Sequence, residues 1–163
     1  MTAKDAIKRV FDTNFNVLEK YVSDLSDADL LVRPVPRANH AAWQLGHLIA
    51  AEISLLSSVP GGPPLELPPG FAERHGKETA AVDPPKGFLS KAEYMSIFKK
   101  VREQTFAKLD RLSDADLDKP NTGRMAQFFP TLGDLFLLVA GHQMMHAGQF
   151  AVLRRKLGKP ILI

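Results

Sequence analysis

A chain of 163 residues with 45% apolar and 24% charged residues has the material for one well-buried core, and a single domain over residues 1–163 is expected. Its formal charge of +3 comes from basic and acidic residues that alternate along the chain, which leaves no continuous cationic stripe and argues against nucleic acid as a partner. The absence of cysteine excludes disulfides, thiolate metal ligands and a cysteine nucleophile, so any metal must be held by nitrogen and oxygen.

The first residues are amphipathic and mixed in charge, without the apolar stretch of a secretion signal. The apolar run from Leu135 to Ala140 falls far short of the roughly 20 residues a membrane span needs. A cytoplasmic protein without membrane contact is expected.

From Ala3 to Val22, the apolar residues Ile7, Val10, Phe11, Phe15, Leu18 and Val22 recur at helical spacing and predict a first amphipathic helix. A second is predicted after Asn39 as N-cap, carrying Trp43, Leu45, Leu48, Ile49, Ile53 and Leu56 as far as Pro60-Gly61-Gly62. Pro63-Pro64, Pro68-Pro69 and Pro84-Pro85 then keep the segment from Pro60 to Gly87 out of regular helix. This segment is expected to be a crossover over one end of a bundle, a place from which it could also cover a pocket.

Ser90 with Glu93 forms a capping box for a third helix through Tyr94, Ile97, Phe98, Val101, Phe106 and Leu109. Thr131 with Asp134 starts a fourth, which runs to Leu157 and stops at Gly158-Lys159-Pro160. The pentapeptide Ser-Asp-Ala-Asp-Leu occurs at Ser26 and again at Ser113, either as the trace of two related helical hairpins or as a common helix start used twice. No strand pattern competes, and the predicted fold is all-α, a four-helix bundle with a long Pro/Gly-rich crossover between the second and third helices. The basic run Arg154-Arg155-Lys156 is read as a complement to the negative end of the last helix.

Leu135, Leu138, His142, His146 and Gln149 follow one stripe of the fourth helix, which directs both histidines inward. Imidazoles four residues apart lie about 6 Å from each other, near enough to share one ion at about 2.0–2.1 Å. Two satisfied or solvent-facing histidines are the other reading of the pair. His47 shares the second helix with Trp43, Leu48 and Ile49, and a buried imidazole needs something to engage it. Three histidines from two helices would leave coordination positions open, as catalytic metal sites do.

Residue 143 is Gln where a zinc protease would need the glutamate of His-Glu-x-x-His, which excludes that mechanism. Glu52 is read as a surface or second-layer residue and Asp134 as part of a helix cap, each a weak candidate for proton transfer. His40 is expected as a cap or surface residue and His75 as solvent-exposed, with a lid role the alternative. Trp43 is read as core or cavity lining, and Gln149 as a partner of a ligand histidine or as packing. Met144 and Met145 are read as core and interface fillers.

The segments Ala42-Trp43-Gln44-Leu45-Gly46-His47-Leu48 and Thr131-Leu132-Gly133-Asp134 resemble the DinB/YfiT-like superfamily. So do Gly141-His142 through His146-Ala147-Gly148-Gln149 and the closing Arg155-Lys156-Leu157-Gly158-Lys159-Pro160, so that the resemblance spans nearly the whole chain. It implies a four-helix bundle with a divalent ion, usually nickel or zinc, held by His47, His142 and His146 in an open site, commonly in a homodimer. It fixes no single reaction: members resemble thiol-dependent S-transferases and isomerases, or metal-dependent hydrolases, and DNA binding is not a property of the family.

The expected function is a metal-dependent transferase that activates a low-molecular-weight thiol towards a small electrophile, which suits a chain without cysteine. A hydrolase using a metal-bound hydroxide and a non-catalytic, stress-related metal-binding module are the alternatives. The sequence identifies no catalytic base.

Overall fold

In the computed structural model, which describes residues 1–61, 66–83 and 85–162, six α-helices follow one another. They are α1 (Ala3–Val22), α2 (Asp27–Leu30), α3 (Ala41–Leu55), α4 (Phe71–Arg74), α5 (Lys91–Asp110) and α6 (Leu132–Lys156). Four of them, α1, α3, α5 and α6, form the bundle, and α1 packs most extensively on α6. The architecture is all-α, with no strand among the described residues; a lone bridge pairs Pro120 with Thr131 across the loop that leads into α6.

Side chains placed at the cap positions set most of the helix boundaries. Thr2, Ser90 and Thr131 each accept from the backbone N–H three residues on, while Asp5, Glu93 and Asp134 return the bond to the cap residue, so α1, α5 and α6 begin on capping boxes. Both copies of Ser-Asp-Ala-Asp-Leu do the same: Ser26 caps α2, and Ser113 caps the 3-10 turn Asp114–Asp118. The start of α3 differs from expectation. His40, read as a cap or surface residue, is the N-cap in place of Asn39, with its Nδ1 accepting from the Trp43 N–H at 3.1 Å. An imidazole nitrogen here takes the part of a carboxamide oxygen, because the ring is fully buried edge-on against Phe88.

Two apolar clusters fill the bundle. One gathers Leu18, Leu45, Ile49, Phe98 and Phe150, the other Phe11, Leu55, Leu109, Phe136 and Val139. Phe11 meets Phe106 and Phe15 meets Phe98 edge to face, at centroid distances of 5.8 and 5.2 Å. Val10, expected on the inner face of α1, is exposed.

Three charged side chains, Glu52, Arg102 and Arg154, are buried with partners. Glu52 is not at the surface: 2% of its side chain is exposed, and it accepts from Arg102 Nε at 3.2 Å, Arg102 Nη2 at 2.9 Å and Thr105 Oγ1 at 2.6 Å. The Arg102 guanidinium also lies over the Phe11 ring at 4.2 Å. Arg154, the first residue of the basic run, is fully buried and does more than complement the helix end. It donates to the Tyr21 carbonyl at 2.9 Å, the Pro160 carbonyl at 2.7 Å and both oxygens of Asp24, and so ties the end of α6 to the end of α1.

The crossover between α3 and α5 contains the short helix α4 and a 3-10 turn, Lys77–Thr79, where no helix was expected. Pro63-Pro64 and Pro84 lie outside the described residues. Arg33 fastens the crossover by donating to the carbonyls of Ala80 at 2.9 Å and Val82 at 3.0 Å, and to the Asp83 carboxylate. The same guanidinium donates to Ala38 at 2.8 Å, which joins the crossover to the turn before α3.

Removing the buried guanidinium of Arg154 strands two carbonyls and leaves a cavity, whereas Asp24 is half exposed and can be rehydrated. Arg154→Ala is therefore expected to cost about 2–4 kcal/mol of unfolding free energy, and Asp24→Asn clearly less. Urea unfolding of both variants checks the order, and equal losses would contradict it.

Candidate metal centre

α3 and α6 cross with His47 on one and His142 and His146 on the other, and the ring nitrogens of the three come within 4.8 Å of one another. These are the three histidines expected to converge. His146 is buried, while His142 and His47 are half-buried and face the more open side. The Nε2 atoms of His142 and His146 stand 3.2 Å apart. Two nitrogens about 2.0–2.1 Å from one ion at an octahedral or tetrahedral angle are separated by roughly 2.8–3.4 Å, so this pair already has the spacing of shared ligation.

Burial is the largest influence on all three rings. It lowers His146 to about 3 and His142 to about 4, with the neighbouring histidines adding to the effect. His47 is lowered by burial as well, partly restored by a backbone hydrogen bond at His75 and lowered further by the charges of Arg124 and Lys77. All three are neutral near pH 7, which is the protonation state that offers lone pairs. Neutral nitrogen donors suit a divalent ion, and the cluster could hold one.

The surroundings fix the rings. Trp43 stacks on His47 with 4.7 Å between centroids and 8° between planes, and is itself held by its indole N–H at the Gly76 carbonyl, 3.2 Å away. Gln44 receives His146 Nδ1 at 2.7 Å. This residue carried no role in the sequence reading, although a glutamine inside the otherwise apolar run Ala41 to Leu45 was the available signal.

His75 overturns its expected exposure, since 1% of it is accessible. Its Nδ1 donates to the Phe71 carbonyl at 2.7 Å and its Nε2 accepts from the Tyr94 hydroxyl at 2.7 Å; the Tyr94 oxygen in turn accepts from the Leu89 N–H at 3.3 Å. Burial raises Tyr94 to about 12, so it keeps its proton. The His75 ring lies flat against α3 at Gly46, where any Cβ would overlap it. Gly46 therefore lets the crossover reach His47.

Several other expectations fall away from the site. Gln149 is exposed and hydrogen-bonds neither α6 histidine, because the stripe it belongs to runs along the margin between the buried and open faces of α6. Met144 and Met145 are exposed rather than core, at 40% and 66%. Asp134 stays in its cap, and Glu52 is committed to Arg102 and Thr105. Gln143, with its amide oxygen turned to Arg102 (3.3 Å from Nη1), points away from the histidines into the same buried network.

A family model described as the DinB superfamily matches residues 11–150. Among solved structures, the chain is similar to one described as the crystal structure of the conserved protein of locus from Enterococcus faecalis. The two are 16% identical, with a TM-score of 0.68 over 98% of this chain and 99% of that one, which is a likeness of fold. No curated protein matches the chain.

All five histidines of the chain are buried or half-buried with lowered affinities for protons: His40 and His75 are also brought down to about 4 by burial. In the unfolded chain they titrate near 6.5. Below that pH the unfolded state takes up protons that the native state refuses, so native stability must fall as pH drops from about 6.5 towards about 4. For metal-free protein, the urea midpoint is expected to be constant above about pH 7.5 and clearly lower at about pH 5. A midpoint unchanged across that interval would contradict the burial of the imidazoles.

Proposed function

The chain belongs to the DinB superfamily, and from that membership together with the three converging imidazoles we propose that it is a metal-dependent transferase that joins a low-molecular-weight thiol to a small electrophile. The observation that carries this reading is the donor set. His47, His142 and His146 are the ligands, all neutral; the chain has no thiol, and among the described residues no carboxylate joins them. A divalent ion held there, nickel or zinc, supplies undiminished positive charge, which favours the thiolate form of a thiol bound to it.

The remaining work belongs to the chain. Trp43 and Gln44 hold two of the imidazoles in place, and burial keeps them unprotonated. Lys77 and Arg124, exposed and near enough for their charges to act on His47, favour a thiol or electrophile that carries an anionic group. The reaction balances without an oxidant. The thiol proton passes to solvent, the sulfur lone pair forms the new S–C bond, and the leaving group departs with the electrons of the bond that breaks.

Purified protein is expected to bind close to one nickel or zinc ion per chain, and alanine at His47, His142 or His146 to abolish most of it; elemental analysis after chelation and reloading reads this out. Glutathione, bacillithiol or mycothiol should then release a proton on binding the loaded protein, detected calorimetrically in buffers of different ionisation enthalpy. Cobalt-loaded protein should show a thiolate charge-transfer band with the same thiol. If all three thiols leave both signals unchanged while a simple ester is hydrolysed, the protein is a hydrolase.

The same reading carries a homodimer. Leu137, Met144, Met145 and Val152 line one exposed face of α6, interrupted by Gly141 and Gly148, whose added Cβ atoms would meet nothing within 4 Å. Light scattering at micromolar concentration is expected to give twice the 18.0 kDa of one chain, and the monomer mass would refute it.

A further inference from the structure

The hydrogen bonds around Gln44 fix the position of a proton on each α6 histidine. Gln44 is almost fully buried, and its Nε2 donates to the Asn39 carbonyl at 2.7 Å. A carbonyl oxygen only accepts, so the amide nitrogen must face Asn39 and the amide oxygen must face His146. That oxygen lies 2.7 Å from His146 Nδ1 and also only accepts. His146 Nδ1 must therefore carry the hydrogen, which leaves the lone pair on Nε2.

The consequence passes to the next ring. His142 Nε2 lies 3.2 Å from that lone pair. Two lone pairs at this distance repel, whereas an N–H on His142 Nε2 completes a hydrogen bond. The neutral ring has one hydrogen to place, and this contact draws it to Nε2.

We propose that Gln44 is a positioning residue that locks His146 in the Nδ1–H tautomer, ready for ligation through Nε2, while His142 rests in the Nε2–H tautomer and must move its hydrogen to Nδ1 when an ion binds. The proposal rests on the metal-binding reading for its second half alone, since the first concerns the metal-free protein. It also gives Gln44 a consequence for reactivity. A neutral amide behind His146 leaves the ligand uncharged, where a carboxylate would add negative charge at the site.

Long-range proton–nitrogen correlation spectra of the imidazoles, assigned with His142→Ala and His146→Ala, read the tautomers directly. Metal-free wild type should show His146 as Nδ1–H and His142 as Nε2–H, and an Nε2–H form of His146 would overturn the proposal whatever any variant does. Adding zinc should convert His142 to Nδ1–H and leave His146 unchanged in type. Loss of zinc binding in wild type would sink the metal reading but not the tautomer assignment, so the two failures are distinguishable.

Gln44→Leu removes the acceptor at similar volume. It should release the His146 tautomer and weaken zinc binding by about tenfold to a hundredfold. Gln44→Glu restores an acceptor for Nδ1–H, and should recover both the tautomer and the affinity, even if its second oxygen facing the Asn39 carbonyl lowers the melting temperature. Wild-type affinity and tautomer in a folded Gln44→Leu protein would show that Gln44 merely packs.

Discussion

Keeping imidazoles neutral inside an apolar bundle is the constraint on which the rest of this structure depends. Desolvation makes the protonated ring unfavourable, and a neutral ring still has one donor and one acceptor to place. His75 places both, on the Phe71 carbonyl and the Tyr94 hydroxyl. His146 places its donor on Gln44 and keeps its acceptor for the site. His40 spends Nδ1 on the start of α3, while its Nε2 is the one buried side-chain polar atom left without a partner among the described residues. The ring nitrogens that converge between α3 and α6 are thus what remains after structural demands have been met.

The crossover follows from the same constraint. The backbone hydrogen bonds between Pro68 and Val82 are local, within α4 and the turns after it, so the position of the segment against the bundle must come from side chains. Here Arg33 holds Ala80, Val82 and Asp83 at one end, and His75, buried between α3 and α5, supplies an anchor near the middle. Gly46 makes the close approach possible. The anchor and the site are one construction, because the backbone of His75 serves His47 and the carbonyl of Gly76 holds the tryptophan that stacks on it.

The features that were legible in the sequence are those written within a few residues. Capping boxes at Ser90 and Thr131 and apolar periodicity along α1 and α6 mark their helices without help from the fold, and the i, i+4 pair His142 and His146 already implies neighbouring rings. What stayed hidden depends on partners far away in the chain. Glu52 looks like a surface acid until Arg102 and Thr105 come from another helix, and His75 looks exposed until Tyr94 does. Gln149 failed for a subtler reason: helical spacing gives the direction of a stripe but not where the buried arc ends, and the arc ends between His142 and Gln149. Residue preference marks Asn39 as the cap of α3 and leaves His40 a cap or surface residue, and burial against Phe88 decides for His40.

The distribution of acidic groups gives the site its chemical character. The carboxylates nearest in sequence are committed to structure: Glu52 to the buried guanidinium of Arg102, and Asp134 to the cap of α6. Gln143, next to His142 in sequence, turns away from the histidines to Arg102 as well and completes that network as a neutral acceptor. Gln44 behind His146 is likewise an amide. An amide at position 44 puts no negative charge behind His146, while the charges acting on His47 are the cations of Lys77 and Arg124. Among the described residues the histidine cluster thus has no uncommitted carboxylate joined to it, and the cations beside His47 favour an anion there.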